Sequence, residues 1–488
     1  MKMKNYRIII FFFIFVILLN NVSLGKLENK DIQWYQINID GFGVRNNVAP
    51  RGFEVFNDNL VIGTANYYDQ YENCTPFFDY GQPVRNFIQS FKNGIKYEKL
   101  KSDGCEIWFY NDITGWCQIV GSNGYYQSGF DNTNNLEVGF LINFKNYLYA
   151  GLRNHNEGCQ IWRTNNLNDW EKVVDKGFGN RWNAAAWSAK VFNNSLYVGT
   201  MNFFDGCEIF RTNDGETWEA VVERTIETKS GFGFKDNFYA WSMEVYDQYL
   251  YVGTDKGELW RTKSGITWEP VIAYKSLFKA KLHGADMPRG FRKKILGSEY
   301  LGGIRSMTVF NDELYLGTVG GGGFLILSFP KLGDITISRG FNPFGRIRHF
   351  NHGAEIWKYN SQNDKWTQVA GGRIKGCNSS GGFGDPGNHY IWSMVSSDKY
   401  LYAGTMCPAP TELVFEKKGF LQWNMKIKRQ KGNAQIWRYN GEIWEKINDN
   451  GFNDEYNLGV REMILFNNDL FAGTMNLKTG LEIWEFSK

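Results

Sequence analysis

Six side chains at equivalent places of a repeated unit are the best equipped to hold a ligand: Arg51, Trp187, Trp241, Arg305, Trp392 and Arg461. Gly139 stands at the seventh such place. Guanidinium groups offer charge and paired N–H donors to an anion, and indole faces stack on sugars or cations. A ring of this composition suits an anionic or sugar ligand. The competing reading is structural, with the tryptophans wedged between packed sheets and the arginines paired to acids such as Glu54, Glu244 or Glu462.

The histidines make a second set. His155, His283, His349, His352 and His389 all map to loops on one side of the repeat. His349-x-x-His352 with His389 is the candidate metal or acid–base group, with Asp286 near in sequence. No helical His-Glu-x-x-His motif accompanies them, and Gly320 to Gly323 lacks the Lys-Ser/Thr of a phosphate loop, so the identity of any cofactor is left unknown. Seven cysteines leave at least one unpaired. Cys105, Cys159 and Cys207 share one place in the repeat, filled elsewhere by Ala354 and Ala434, so they read as packing residues. Cys377 and Cys407 fall in adjacent loops and are the candidate disulfide. Asn73, Asn193 and Asn378 begin possible glycosylation sequons.

The elements that must position these residues are short strands. Leu196-Tyr-Val-Gly-Thr recurs as Leu60-Val-Ile-Gly-Thr, Leu148-Tyr-Ala-Gly-Leu, Leu250-Tyr-Val-Gly-Thr, Leu314-Tyr-Leu-Gly-Thr, Leu401-Tyr-Ala-Gly-Thr and Leu470-Phe-Ala-Gly-Thr. A strand centred on Ile107-Trp108, Ile161-Trp162, Ile209-Phe210, Leu259-Trp260, Ile356-Trp357, Ile436-Trp437 and Ile483-Trp484 follows each copy. Runs of β-branched and aromatic residues bounded by Asn, Asp and Gly are the signature of strands and turns. The glycine inside each second strand implies close approach between sheets. A fourth strand is marked by Trp116, Trp170, Trp218, Trp268, Trp366 and Trp444, and the missing copy begins at Trp34. The sequence therefore predicts an all-β protein: a seven-bladed β-propeller of four-stranded antiparallel blades, its last blade closed by the N-terminal strand. The stretch 319–353 reads as an inserted hairpin rather than an extra blade, because it brings no Leu-Tyr-x-Gly-Thr strand.

Composition narrows the setting. The 488 residues include 54 glycines and only 10 prolines, which fits many tight turns, and a net charge of +3 argues against nucleic acid as partner. Lys2, Lys4 and Arg7 precede an apolar run over 8–19 and small residues near Gly25. This is the pattern of a signal peptide over 1–25, with 26–488 as a single propeller domain that is secreted or on the cell surface. The alternative is a chain anchored by the uncleaved segment. No second apolar span follows, so the mature chain is expected to lack a membrane span and to act as a monomer. Long insertions at 65–104, 319–353 and 406–432, joining second to third strands, and at 272–304, joining blades, share one face with the ring and the histidines. That face is the expected binding face.

The turn Arg211-Thr-Asn-Asp-Gly-Glu-Thr-Trp218 resembles the Asp box of sialidase-like propellers, whose pattern is Ser/Thr-x-Asp-x-Gly-x-Thr-Trp. Arg261-Thr-Lys-Ser-Gly-Ile-Thr-Trp268 is the next best copy, and both are one residue short of the full box. The resemblance implies fold, since the box is remote from that family's active site. It also raises a glycan-cleaving hydrolase in which Arg51, Arg305 and Arg461 clamp a carboxylate. Against that, the family's arginine-containing N-terminal motif is not evident here, its members have six blades, and no catalytic Tyr–Glu pair can be placed. A binding or scaffold propeller recognising an extracellular glycan or protein is the leading expectation. The hydrolase, and a metal-dependent enzyme using the histidines, are the alternatives.

Overall fold

The computed structural model describes residues 33–67, 102–272, 303–320, 353–371, 380–385, 387–407 and 432–487, with the backbone of short strands at 294–295, 298–299, 324–329, 333–338, 411–417 and 423–427. Among the described residues regular structure is almost entirely β, with a few single-turn 3-10 segments.

The pairing of the strands follows from their turns. Asn57-Asp58, Lys145-Asn146, Asn193-Asn194, Asp247-Gln248, Asn311-Asp312 and Asn467-Asn468 all have both residues at positive φ. That is the type I′ geometry whose twist matches an antiparallel hairpin. Each such turn joins an inner strand to its Leu-Tyr-x-Gly-Thr neighbour, as in Ala185–Phe192 with Ser195–Met201. A third and fourth strand then add outward, as in Ile209–Thr212 and Glu219–Val222. Their turn is held by side chains. Asp214 Oδ1 accepts the N–H groups of Glu216 and Thr217 at 2.8 and 2.7 Å, and Thr212 Oγ1 accepts that of Gly215 at 2.8 Å. Such local bonds favour this tight turn over an extended continuation.

The described strands assemble into seven such four-stranded units. Their inner strands are Asn47–Phe56, Glu137–Phe144, Ala185–Phe192, Ala240–Tyr246, Ile304–Phe310, Tyr390–Ser396 and Asn457–Phe466, numbered here as blades 1 to 7. Each inner strand touches the next, and the seventh touches the first, so the units form a closed ring. The molecule is a β-propeller.

Closure uses the two ends of the chain. Gln33–Gln36 pairs antiparallel with Ile483–Ser487, from Gln33 opposite Ser487 to Gln36 opposite Trp484. Trp34 locks this outer strand, its Nε1 donating to Ile447 O at 3.1 Å while its ring packs on Phe452 and Phe486. An edge that would otherwise lie open is thereby covered. The hairpin at Phe324–Phe329 and Gly333–Ser338 adds no unit to the ring. It pairs in parallel with Thr411–Lys417, the first strand of a second hairpin ending at Trp423–Ile427.

Blade contacts explain two sequence features. A Cβ at Gly63 would lie 2.4 Å from Val138 Cβ, and one at Gly253 would lie 2.7 Å from Ile304 Cβ. The second-strand glycines Gly63, Gly199, Gly253, Gly317, Gly404 and Gly473 thus mark where the next blade's inner strand packs, whereas Gly151 makes room for the Phe140 ring of its own blade. The second feature is a Gly-Phe segment before the inner strand. Gly41, Gly177, Gly231, Gly382 and Gly451, each at φ near +60°, aim the following phenylalanine at a third-strand aromatic ring. Phe42 stacks on Trp108, Phe178 on Phe210, Phe232 on Trp260, Phe383 on Trp437 and Phe452 on Trp484, with interplanar angles of 16° or less. An asparagine six residues after the glycine ties this loop down. Asn183 Nδ2, for example, donates to Gly177 O at 3.0 Å and to Glu208 Oε2 at 2.6 Å.

A candidate ligand site at the mouth of the channel

Each inner strand is interrupted by a bulge near its start. The register shifts place Gly139, Trp187, Trp241, Arg305, Trp392 and Arg461 as the extra residues of blades 2 to 7. In blade 1 the shift falls one residue later, at Gly52, so Arg51 stays paired with Gly63. A bulge turns a side chain out of the sheet's alternation. Here it turns them toward the axis: Trp187, Trp241 and Trp392 of blades 3, 4 and 6 share one cluster with Tyr239 and Tyr390. Side chains of non-adjacent blades meet only near the axis of a ring. The ends of the second strands lie at the same level, since Tyr67 N donates to Asn46 O in the loop entering blade 1. The mouth therefore opens on the face to which the long insertions belong.

One rule governs the contacts. The bulge side chain of a blade meets the residue two places before the bulge position in the next blade. Trp187 meets Tyr239 edge to face at 4.8 Å. Trp241 Cζ3 would lie 2.2 Å from a Cβ at Gly303, and Trp392 Cε3 2.7 Å from one at Gly459. Arg51 Nη1 meets Glu137 Oε1 at 3.4 Å. For Arg461 the corresponding place in blade 1 is Ala49, which has no charge to offer, and its Nη2 reaches Glu137 Oε1 of blade 2 at 3.5 Å.

The residue after the bulge stitches blade to blade. Ser188, Ser242, Ser306 and Ser393 donate Oγ–H to Ala240 O, Ile304 O, Ile391 O and Val460 O at 2.7–3.0 Å. In blade 7 this place is Glu462, with Oε1 3.9 Å from Arg51 Nε. The serine series runs through blade 6, including Ser306 after Arg305, and stops at Glu462.

That sector holds a charged cluster around Glu137, which is 1% exposed. Arg153 Nη1 lies 2.8 Å from its Oε2, Arg461 Nη2 lies 3.5 Å from its Oε1, and Tyr67 donates its hydroxyl to the same carboxylate. Burial pushes the Glu137 carboxyl up, but Arg153, Arg51 and Arg461 outweigh it and hold it down at about 2. Burial and the Arg461 charge both push Arg51 down. Arg51 also donates to Gly139 O at 3.2 Å and Trp187 O at 3.3 Å, and its guanidinium sits 3.9 Å over the Trp187 ring. A Cβ at Gly139 would lie 1.9 Å from Ala186 O, so no larger residue fits in this crossing.

Several expectations are corrected in detail. Glu54 and Glu244 do not partner the ring arginines: Lys190 Nζ meets Glu244 at 2.6 Å, and the Lys190 charge also acts on Glu54. Glu462 does reach Arg51, but the principal acid is Glu137. Arg305 stands apart from this cluster, 5.2 Å over the Trp241 ring, and Arg153 takes the third place instead. Glu137, Arg153 and Tyr67 are the residues that sequence reasoning missed. The available signal was the column two places before the ring: Ala49, Glu137, Ala185, Tyr239, Gly303, Tyr390 and Gly459.

Of the histidines, His155 Nε2 accepts from Arg153 Nε at 2.8 Å and His389 is buried at the start of blade 6. His283, His349 and His352 lie outside the described residues. Among the described residues no three His, Cys, Asp or Glu side chains are grouped to hold a metal ion. Cys407 carries a free, buried thiol 3.8 Å from Asp385 Oδ2, with burial and then the Asp385 charge raising it to about 12. Cys377 lies outside the described residues, as do Asn73 and Asn378. Asn193 is exposed in a tight turn on the opposite face, where its Nδ2 donates to Lys263 O at 3.3 Å. Cys105, Cys159 and Cys207 are buried free thiols. Their backbone N–H groups, like those of Ala354, Ala434 and Leu481, donate to the asparagine carbonyl of the loop above.

The mouth is flanked by exposed aromatic surface. Trp182 is 39% and Phe204 59% exposed, their rings 3.9 Å apart, with the Arg181 guanidinium 4.9 Å from the Trp182 ring.

No known family model matches the sequence, and no curated protein matches it. Solved structures similar to it include the WD40 β-propeller domain of Doa1, at 7% identity, a TM-score of 0.45 and coverage of 94% of this chain and 98% of that one. YCF48 from Cyanidioschyzon merolae is 9% identical, with a TM-score of 0.46 and coverage of 93% and 98%. The computationally designed Ika8 protein is 10% identical, with a TM-score of 0.42 and coverage of 92% and 99%. Likeness this loose carries no inference about activity, and the fold assignment stands on the strand pairing and the closed ring of inner strands. No helix among the described residues is long and apolar enough to cross a membrane.

Proposed function

We propose that this propeller is a binding or scaffold protein, secreted or displayed at the cell surface, that recognises a glycan or protein partner through its insertion-bearing face. The observation that carries the reading is the broken symmetry of the channel mouth. Six of the seven ring places hold Arg or Trp, and in one sector the regular serine stitches give way to Arg51, Arg153 and Arg461 gathered around Glu137. A scaffold stabilised by repetition has no need of that departure, whereas recognition needs distinct groups at one place. Exposed Trp182, Phe204 and Arg181 on the same side are residue types that dominate binding energy at interfaces. The basic and apolar N-terminal segment supports the extracellular setting. The separation of Arg305 from Arg51 and Arg461 weighs against the hydrolase reading.

Immobilised full-length protein incubated with a glycan array and with surface-protein extracts tests the proposal. Retention of a defined partner that is lost on Trp182→Ala with Phe204→Ala supports it. Turnover of fluorogenic glycosides with no partner retained would overturn it.

A further inference from the structure

Among the described residues the charges at the channel mouth do not cancel. Arg51, Arg153 and Arg461 there face two carboxylates, Glu137, which is buried, and Glu462, which is partly exposed. Arginine keeps its charge when buried, because its intrinsic affinity for the proton is too high to release it. Arg461 is the member with least compensation. It is 7% exposed, its counterpart in blade 1 is Ala49, and Nη2 is 3.5 Å from a carboxylate oxygen that also serves Arg51. No hydrogen bond engages its donors among the described residues; the central carbon of the guanidinium lies over the Trp392 ring, 4.4 Å from its centroid. The indole N–H groups of Trp187, Trp241 and Trp392, buried around the same mouth, are also without an acceptor. Among the described residues, the three arginines outnumber the two carboxylates that they face.

We propose that Arg461, standing on Trp392 and backed by Arg51, receives a carboxylate group of a ligand that enters the channel from the insertion-bearing face. The inference rests on the binding reading above and names its chemistry. A guanidinium held over an aromatic ring and free of other hydrogen bonds among the described residues has a paired N–H edge to offer, which matches the two oxygens of a carboxylate. The arriving charge neutralises the excess over Glu137 and Glu462, so the site is selective for anions. Trp392 is a positioning residue that supports the guanidinium from below.

Thermal unfolding of the full chain in sodium acetate, against sodium chloride at equal ionic strength, is the direct test. The wild type is expected to show a saturable rise in Tm with acetate. Arg461→Gln should abolish that rise while leaving Tm in chloride unchanged or higher, because it removes repulsion toward Arg51 and Arg153. Arg461→Lys keeps the charge without the fork and should weaken the response about tenfold. Trp392→Phe should weaken it less than Arg461→Gln. Glucuronate and a blocked glutamate, used in place of acetate, tell an acidic sugar from an acidic peptide as source. No difference between acetate and chloride for the wild type, or a fall in the Tm of Arg461→Gln in chloride, would overturn the site. Partner capture by Arg461→Gln reports separately on the binding reading, which survives if the exposed aromatic face alone retains the partner.

Discussion

Two arcs of the same ring solve the same packing problem differently. From blade 3 to blade 6, the stitches are neutral: four serines donate to four carbonyls, and tryptophans press on Tyr239, Gly303 and Gly459. From blade 7 to blade 2, the stitches are ionic, built on Glu137, Arg51, Arg153, Arg461 and Glu462. A neutral stitch of about 1 kcal/mol is repeatable and tolerant. A buried ionic cluster adds little net stability, because desolvation offsets attraction, yet it fails badly when one partner is removed. The neutral arc therefore carries the ring, and the ionic arc is the part whose retention calls for a functional reason.

The sharpest way to break the comparison is Glu137→Ala. It strands three guanidinium groups and should cost about 3–5 kcal/mol in urea unfolding. Adding Arg461→Gln to that variant should return part of the loss, since the two residues act as one unit. Gly303→Val in the neutral arc drives a side chain into Trp241 and should cost about 1–3 kcal/mol as overpacking. Ser242→Ala removes one stitch and should cost about 1 kcal/mol, whereas Glu462→Ala, partly exposed, should cost less than that.

The two arcs should also diverge with pH. Glu137 is held at about 2 in the fold and titrates near 4.5 when free, so its contribution is complete above 4.5 and is lost as pH falls toward 2. Asp255 in blade 4 is pushed up by burial to about 7, from 3.8. Its folded form binds a proton more tightly, so it favours the fold increasingly as pH drops from 7 toward 3.8. Asp255→Asn should flatten the upper part of the stability–pH curve and leave the acid limb in place. Glu137→Gln should flatten the acid limb alone.

The strands, the turns and the closing strand at Trp34 were legible because each depends on a few consecutive residues. A Leu-Tyr-x-Gly-Thr run states its own pleat, and Asn-Asn or Asn-Asp states its own turn. Even the ring of Arg and Trp could be aligned, since the bulge recurs at one distance from that run. The partners of the ring were not legible. Glu54, Glu244 and Glu462 were reasonable choices by proximity along the chain, and only the last reaches a ring arginine. The chief acid, Glu137, is 86 residues from Arg51. The Gly-Phe staple was visible in the text as a repeated Gly-Phe-Gly, but its stacking on the third-strand ring is a contact across strands.

By itself the sequence determined the repeat, because backbone preferences, side-chain alternation and turn chemistry act over a few residues and are written in their order. It also pointed to a shared blade, since six Trp-marked outer strands follow their third strands and the seventh copy stands at Trp34, ahead of the first blade. Tertiary structure alone decided which residues face which across the axis. Closing the ring brings blades 7, 1 and 2 together at the mouth, and the charge balance there is a sum over side chains far apart in sequence. Whether an arginine is a paired structural residue or a receptor for an anion depends on that sum, which exists only after the ring has closed.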